Sequence, residues 1–87
     1  MKNPYDTTKN ERVVATIGRK LMDISCTMPM KGLKDAEIAR TNRMSSFGDA
    51  LTRFGTAFGP KNLDEVLKVS GVSKQEAEEF MKIGYTQ

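Results

Sequence analysis

GLKDAEIARTNRMSSFGDALTRFGTAFG, residues 32–59, decides how this chain folds. Ile38 and Ala39 offer a short apolar face near its start. Phe47, Ala50, Leu51, Phe54, Ala57 and Phe58 recur at intervals of three and four, which sets all six on one side of a helix. Between them lies a polar stretch with Arg40, Thr41, Asn42, Arg43, Ser45 and Ser46. Threonine and asparagine compete for backbone hydrogen bonds, and serine caps helix starts. The pattern predicts a short helix over residues 34–42, a tight turn, and a longer helix stopped by Gly59 and Pro60.

Upstream, residues 1–6 read as a flexible arm, because Asn3-Pro4 favours a turn and chain ends fray. Thr8 and Glu11 have the spacing of a capping box. The helix that follows is expected to run to about Ser25, burying Val13, Val14, Ile17, Leu21 and Ile24. Gly18 lies beside that stripe. It weakens the helix by ~1 kcal/mol relative to alanine unless it admits a close helix crossing, so a close crossing is expected there. Cys26 to Gly32 is a connector broken by Pro29 and Gly32. Its Met28 and Met30 either fold back on the core or form a small contact patch.

Downstream, Asn62 is placed to cap a helix over residues 63–70, and Gly71 ends it. Ser73 and Glu76 form a second capping box, which opens a last helix from Lys74 to about Ile83. Gly84 closes it, leaving residues 85–87 as a tail. The expected architecture is all-α: a compact orthogonal bundle of four or five short helices, with one domain over residues 7–84.

A chain of 87 residues makes one domain. Its formal charge of +3 is unevenly spread: residues 1–61 carry a balance of +5 and residues 62–87 a balance of −2. A basic body suits a polyanion and an acidic last helix suits a protein, while a mixed solvated surface is the plainer account. The single cysteine, Cys26, allows no internal disulfide and is expected to be a buried thiol in a reducing, cytoplasmic setting. There is no histidine, which removes histidine acid–base catalysis, Ser-His and Cys-His pairs and His-containing zinc sites. No phosphate-loop or calcium-loop pattern is present. No catalytic residue, cofactor or metal site is expected, and the N-terminus does not read as a signal peptide. No apolar run approaches the ~20 residues of a membrane helix.

Ile38-Ala39 followed by Met44-Ser45 resembles the helix-turn-helix of DNA readers. The chain departs from that family at Asn42, Arg43 and Asp49. The resemblance implies that Ser45 and Ser46 start the inserted helix and contact phosphate, with Arg40, Arg43 and Arg53 supplying charge or reaching a guanine edge. The run VSGVSKQEA, residues 69–77, resembles the helix-hairpin-helix motif, with Gly71, Val72, Ala77 and Phe80 matching and Ser70 and Ser73 replacing a proline and a glycine. That resemblance implies a hairpin phosphate contact at Gly71, Ser73 and Lys74. Against it, Glu76, Glu78 and Glu79 would turn carboxylates toward a duplex, where phosphate contacts dominate affinity.

Two functions follow as expectations. One is a small non-enzymatic duplex-DNA-binding protein, a transcription regulator of phage or plasmid type, which a continuous basic face through Arg12, Arg19, Arg40, Arg43 and Arg53 would favour. The other is an adaptor or inhibitor that binds a protein through Glu76, Glu78 and Glu79 or the methionine connector. A homodimer is compatible with either, since many helix-turn-helix proteins pair to read two half-sites.

Overall fold

Four helices form among the described residues: α1 (Glu11–Thr27), α2 (Asp35–Arg53), α3 (Leu63–Ser70) and α4 (Lys74–Thr86). The computed structural model describes residues 11–28 and 31–86, with the backbone alone at Glu11, Arg12, Val13 and Thr86. The arm at residues 1–6, the Thr8–Glu11 capping box, the inward packing of Val13, and Pro29 and Met30 of the connector lie outside this description. The all-α bundle is as expected, and no strand occurs among the described residues.

The core joins all four helices. Val14, Ile17 and Leu21 of α1 meet Met44, Phe47, Ala50 and Leu51 of α2, together with Leu63 and Val66 of α3 and Ala77, Phe80 and Met81 of α4. Phe47 and Phe80 stack as a tilted pair with ring centroids 5.9 Å apart, a favoured aromatic geometry. α1 and α2 run in opposite senses. Gly18 faces Gly48 midway along, and farther on the Thr41 hydroxyl contacts the Met28 sulfur at 3.9 Å. Gly18 thus marks the close crossing that its place beside the stripe implies, and Met28 folds back against α2.

The central stretch differs from its expected form. No turn separates two helices at residues 41–46; α2 is continuous through them. The reason is a second apolar stripe. Thr41, Met44, Phe47, Gly48 and Leu51 are buried, each three or four residues from another of the set, straight across the supposed turn. The Thr41 hydroxyl bonds back to the Glu37 carbonyl at 2.9 Å, so its side chain is satisfied inside the helix. Tertiary burial outweighs propensity differences of a few tenths of a kcal/mol per residue.

The same helix ends earlier than expected. Phe54 leaves helical geometry and Gly55 adopts φ +81°. The chain folds back: the Thr56 amide bonds to the Arg53 carbonyl, the Gly55 amide to the Pro60 carbonyl and the Gly59 amide to the Thr56 carbonyl. Ala57 and Phe58 therefore leave the core face and stand exposed.

Three smaller differences have similar causes. Cys26 is exposed, because Ser25 takes the inward position in the last turn of α1. α1 reaches Thr27, whose hydroxyl bonds to the Asp23 carbonyl. α4 continues through Gly84 to Thr86, so Tyr85 belongs to the helix and not to a tail. Gly84 is a packing residue: a Cβ there would lie 2.7 Å from Ile17 Cγ2.

The 63–70 helix and its hairpin form as read. The Asn62 side chain accepts the Glu65 amide, and Gly71 closes α3 in the left-handed region at φ +68°. The Gly71 and Val72 amides both bond to the Leu67 carbonyl, which joins the 5→1 bond of a left-handed glycine cap to a 6→1 bond, with Val72 packed inward. The Ser73 hydroxyl accepts the Glu76 amide at 3.2 Å and caps α4, while the Glu76 carboxylate, the other half of the expected capping box, bonds to Arg43 instead.

Candidate functional site

The residues singled out for DNA and for protein contact meet one another. α2 presents Arg40 and Arg43 one turn apart, and α4 presents Glu76 and Glu79 one turn apart. Arg43 donates to Glu76 through Nε and through Nη2, the latter at 3.0 Å. Arg40 lies 3.7 Å from Glu79, and its guanidinium sits 5.1 Å from the centroid of the Phe80 ring. The hydrogen bond from Arg43 holds the Glu76 carboxyl below its ordinary value, partial burial opposes this, and the charges of Arg43 and Arg40 reinforce it. The same bond raises Arg43. Glu78 is half-buried on the same helix. These four charges form a bidentate and a looser bridge that bind α2 to α4.

The rest of the DNA set does not gather around them. Ser45 is half-buried in the middle of α2, not at a helix start. Ser46 is exposed on a neighbouring face with Arg53, which lies 3.7 Å from Asp49 and donates to the Phe58 carbonyl at 3.3 Å. Arg19 is exposed on α1, while the side chain of Arg12 lies outside the described residues. Gly71, Ser73 and Lys74 are exposed together at the α3–α4 hairpin, but the Gly71 amide and the Ser73 hydroxyl are already engaged within the chain.

A different site emerges beside Arg53. A groove of about 370 Å³ lies between α2, α3 and the 54–60 loop, lined by Ser46, Asp49, Ala50, Arg53, Phe58, Gly59, Pro60, Glu65 and Val69. Phe58 is 90% exposed and Val69 67% exposed on its rim. Leaving a phenylalanine in water forgoes about 2 kcal/mol of burial, yet the loop holds it there. The Arg53 guanidinium anchors the Phe58 carbonyl, and Lys61 Nζ bonds to the Thr56 carbonyl at 2.8 Å. Gly59 presses so closely on α2 that a Cβ there would overlap the Arg53 carbonyl. The charged rim is mixed: Asp49 and Glu65 stand with Arg53 and the adjoining Lys61, whose amide donates to Glu65 at 2.7 Å.

Sequence reasoning missed Phe58 and Val69 as surface residues, because extending the α2 stripe carried Phe58 inward. The signal was present in FGTAFGP, residues 54–60, where glycines bracket the second phenylalanine and proline follows. Among the described residues no cluster of three or more acidic, cysteine or histidine side chains is placed to hold a metal. No described helix is long and apolar enough to cross a membrane.

Comparison of the chain with protein-family models, with curated proteins and with solved structures finds no match.

Proposed function

We propose that this chain is a small non-enzymatic protein-interaction module that docks through the groove between α2, α3 and the 54–60 loop. The observation that carries this reading is Phe58, held outward on a hydrogen-bonded loop at the rim of a groove that Val69 also lines. Single exposed apolar residues are ordinary, but two at one groove with a polar rim have the form of a contact surface. The pairing of Arg40 with Glu79 and of Arg43 with Glu76 supports it from the other side, since those cations are already partnered. The test is affinity capture from the native cell with wild-type and Phe58→Asp baits. A partner retained by the first and lost by the second is expected. Identical recovery by both would overturn docking at this groove.

A DNA-binding regulator is the second reading. The resemblance of residues 69–77 to the helix-hairpin-helix motif supports it, with Gly71, Ser73 and Lys74 exposed at the α3–α4 hairpin. On this reading random duplex DNA binds at ~50 mM salt, weakens steeply as salt rises, and binds less to a Lys74→Gln variant. Absence of binding at that salt removes the reading.

A further inference from the structure

We infer that the occupant of the groove is a second copy of this chain, with Phe58 of each copy seated in the groove of the other. This rests on the docking reading and names its partner. The argument begins with shape. A two-fold interface places the same patch on both sides, so the patch must complement itself. Here the projecting group and the recess share one surface: Phe58 stands on the rim of the groove and, at 90% exposure, does not fill it. The volume of about 370 Å³ exceeds the ~150 Å³ of an apolar cavity that holds a benzene ring. Val69, 67% exposed, offers the main apolar contact to an incoming ring, while the buried Ala50 and Pro60 add little surface. A groove built for an unrelated protein needs the recess but not the knob.

Charge points the same way. Asp49 and Glu65 share the rim with Arg53 and Lys61. A surface with both signs in equal number matches its own two-fold copy, whereas a strongly basic or acidic partner would meet like charge at half of these positions. Arg53 of one copy then pairs with Glu65 of the other, twice about the axis. The size of the patch sets the strength. Its apolar part consists of a few side chains, well under the ~800 Å² per partner of a standard interface. The dimer is therefore weak and depends on concentration.

The test is sedimentation velocity on the full chain from about 1 µM to about 1 mM, the span that covers weak association. The wild type is expected to shift from monomer to dimer across it, and Phe58→Asp to stay monomeric with an unchanged far-UV spectrum. Arg53→Glu and Glu65→Arg are each expected to be monomeric alone, because each places like charges together at both pairs. Mixed one to one they should recover part of the association, since every cross-pair is then opposite in sign while one copy still lacks the Arg53 anchor of its Phe58 loop. A mixture no more associated than either variant alone overturns the Arg53–Glu65 pairing. A wild type that is monomeric throughout, or a Phe58→Asp variant that dimerises like wild type, overturns the self-pairing. Docking of some other protein at the groove fails by a separate result, the identical recovery by wild-type and Phe58→Asp baits.

Discussion

Arg43 and Glu76 hold each other across the α2–α4 contact, with Nε and Nη2 of the guanidinium on the two carboxylate oxygens. Glu76 titrates below its ordinary value of 4.5 because Arg43 bonds to its charged form. A carboxyl depressed in the folded state contributes stability that is full above its unfolded value and is lost as pH falls through the folded one. Glu76→Gln is therefore expected to melt below wild type at pH 7, with a smaller gap at pH 3 than at pH 7. Thermal melts of both proteins at the two pH values check this. An equal gap at each would mean that the carboxylate charge plays no part.

The same pair bears on nucleic acid. Arg40 and Arg43 are tied to Glu79 and Glu76, so converting both arginines to alanine removes interhelix bridges and leaves carboxylates without partners. The double variant is expected to have a lower melting temperature and to bind random duplex DNA at ~50 mM salt no differently from wild type. Fluorescence anisotropy beside a thermal melt separates the two effects. A variant that melts normally but loses DNA affinity would return these arginines to a phosphate-binding role.

What was legible in the sequence followed from periodicity. The Val14–Leu21 stripe, the Asn62 cap and the Gly71 stop were readable because each rests on local spacing or on a residue with one backbone use, and the inward Ala77 and Phe80 came with the helix-hairpin-helix resemblance. The continuity of α2 was not. Thr41 and Asn42 carry a weak local preference against helix, and the burial of Thr41 against Met28 that overrides it comes from a residue thirteen positions away. The exposure of Phe58 was hidden for the converse reason: its spacing continues the α2 stripe, but Gly55 turns the chain before it is reached. The meeting of Arg43 with Glu76 depends on where packing against α1 sets α4 relative to α2, which no local pattern encodes.

Asn62 is a compact test of α3. Its side chain accepts the Glu65 amide at 2.9 Å at the start of a helix of eight residues. So short a helix has little intrinsic stability. Asn62→Ala is expected to cost about 1 kcal/mol, which lowers the melting temperature of a domain of this size by about 4–8 °C. Asn62→Ser should recover most of it, because serine supplies an equivalent acceptor. A scanning-calorimetry series of the three proteins checks the claim, and indistinguishable melts for asparagine and alanine would show the cap to be inert.

Gly18 and Gly48 set the distance between α1 and α2. A Cβ at Gly18 would lie 2.6 Å from the Gly48 carbonyl oxygen, and a Cβ at Gly48 would lie 2.7 Å from the Gly18 carbonyl oxygen. Both encounters are with backbone, so no rotamer change relieves them. Alanine gains about 1 kcal/mol in helix propensity over glycine, while overpacking costs about 1–3 kcal/mol or more. Backbone against backbone belongs at the upper end, so packing wins. Gly18→Ala and Gly48→Ala are each expected to lose about 2 kcal/mol net in urea denaturation. Together they should lose less than the sum, because once either alanine has pushed the helices apart the second meets a wider gap. Full additivity would mean that the two glycines do not share one crossing, and a stabilised Gly18→Ala would mean that α1 and α2 pack farther apart than this contact requires.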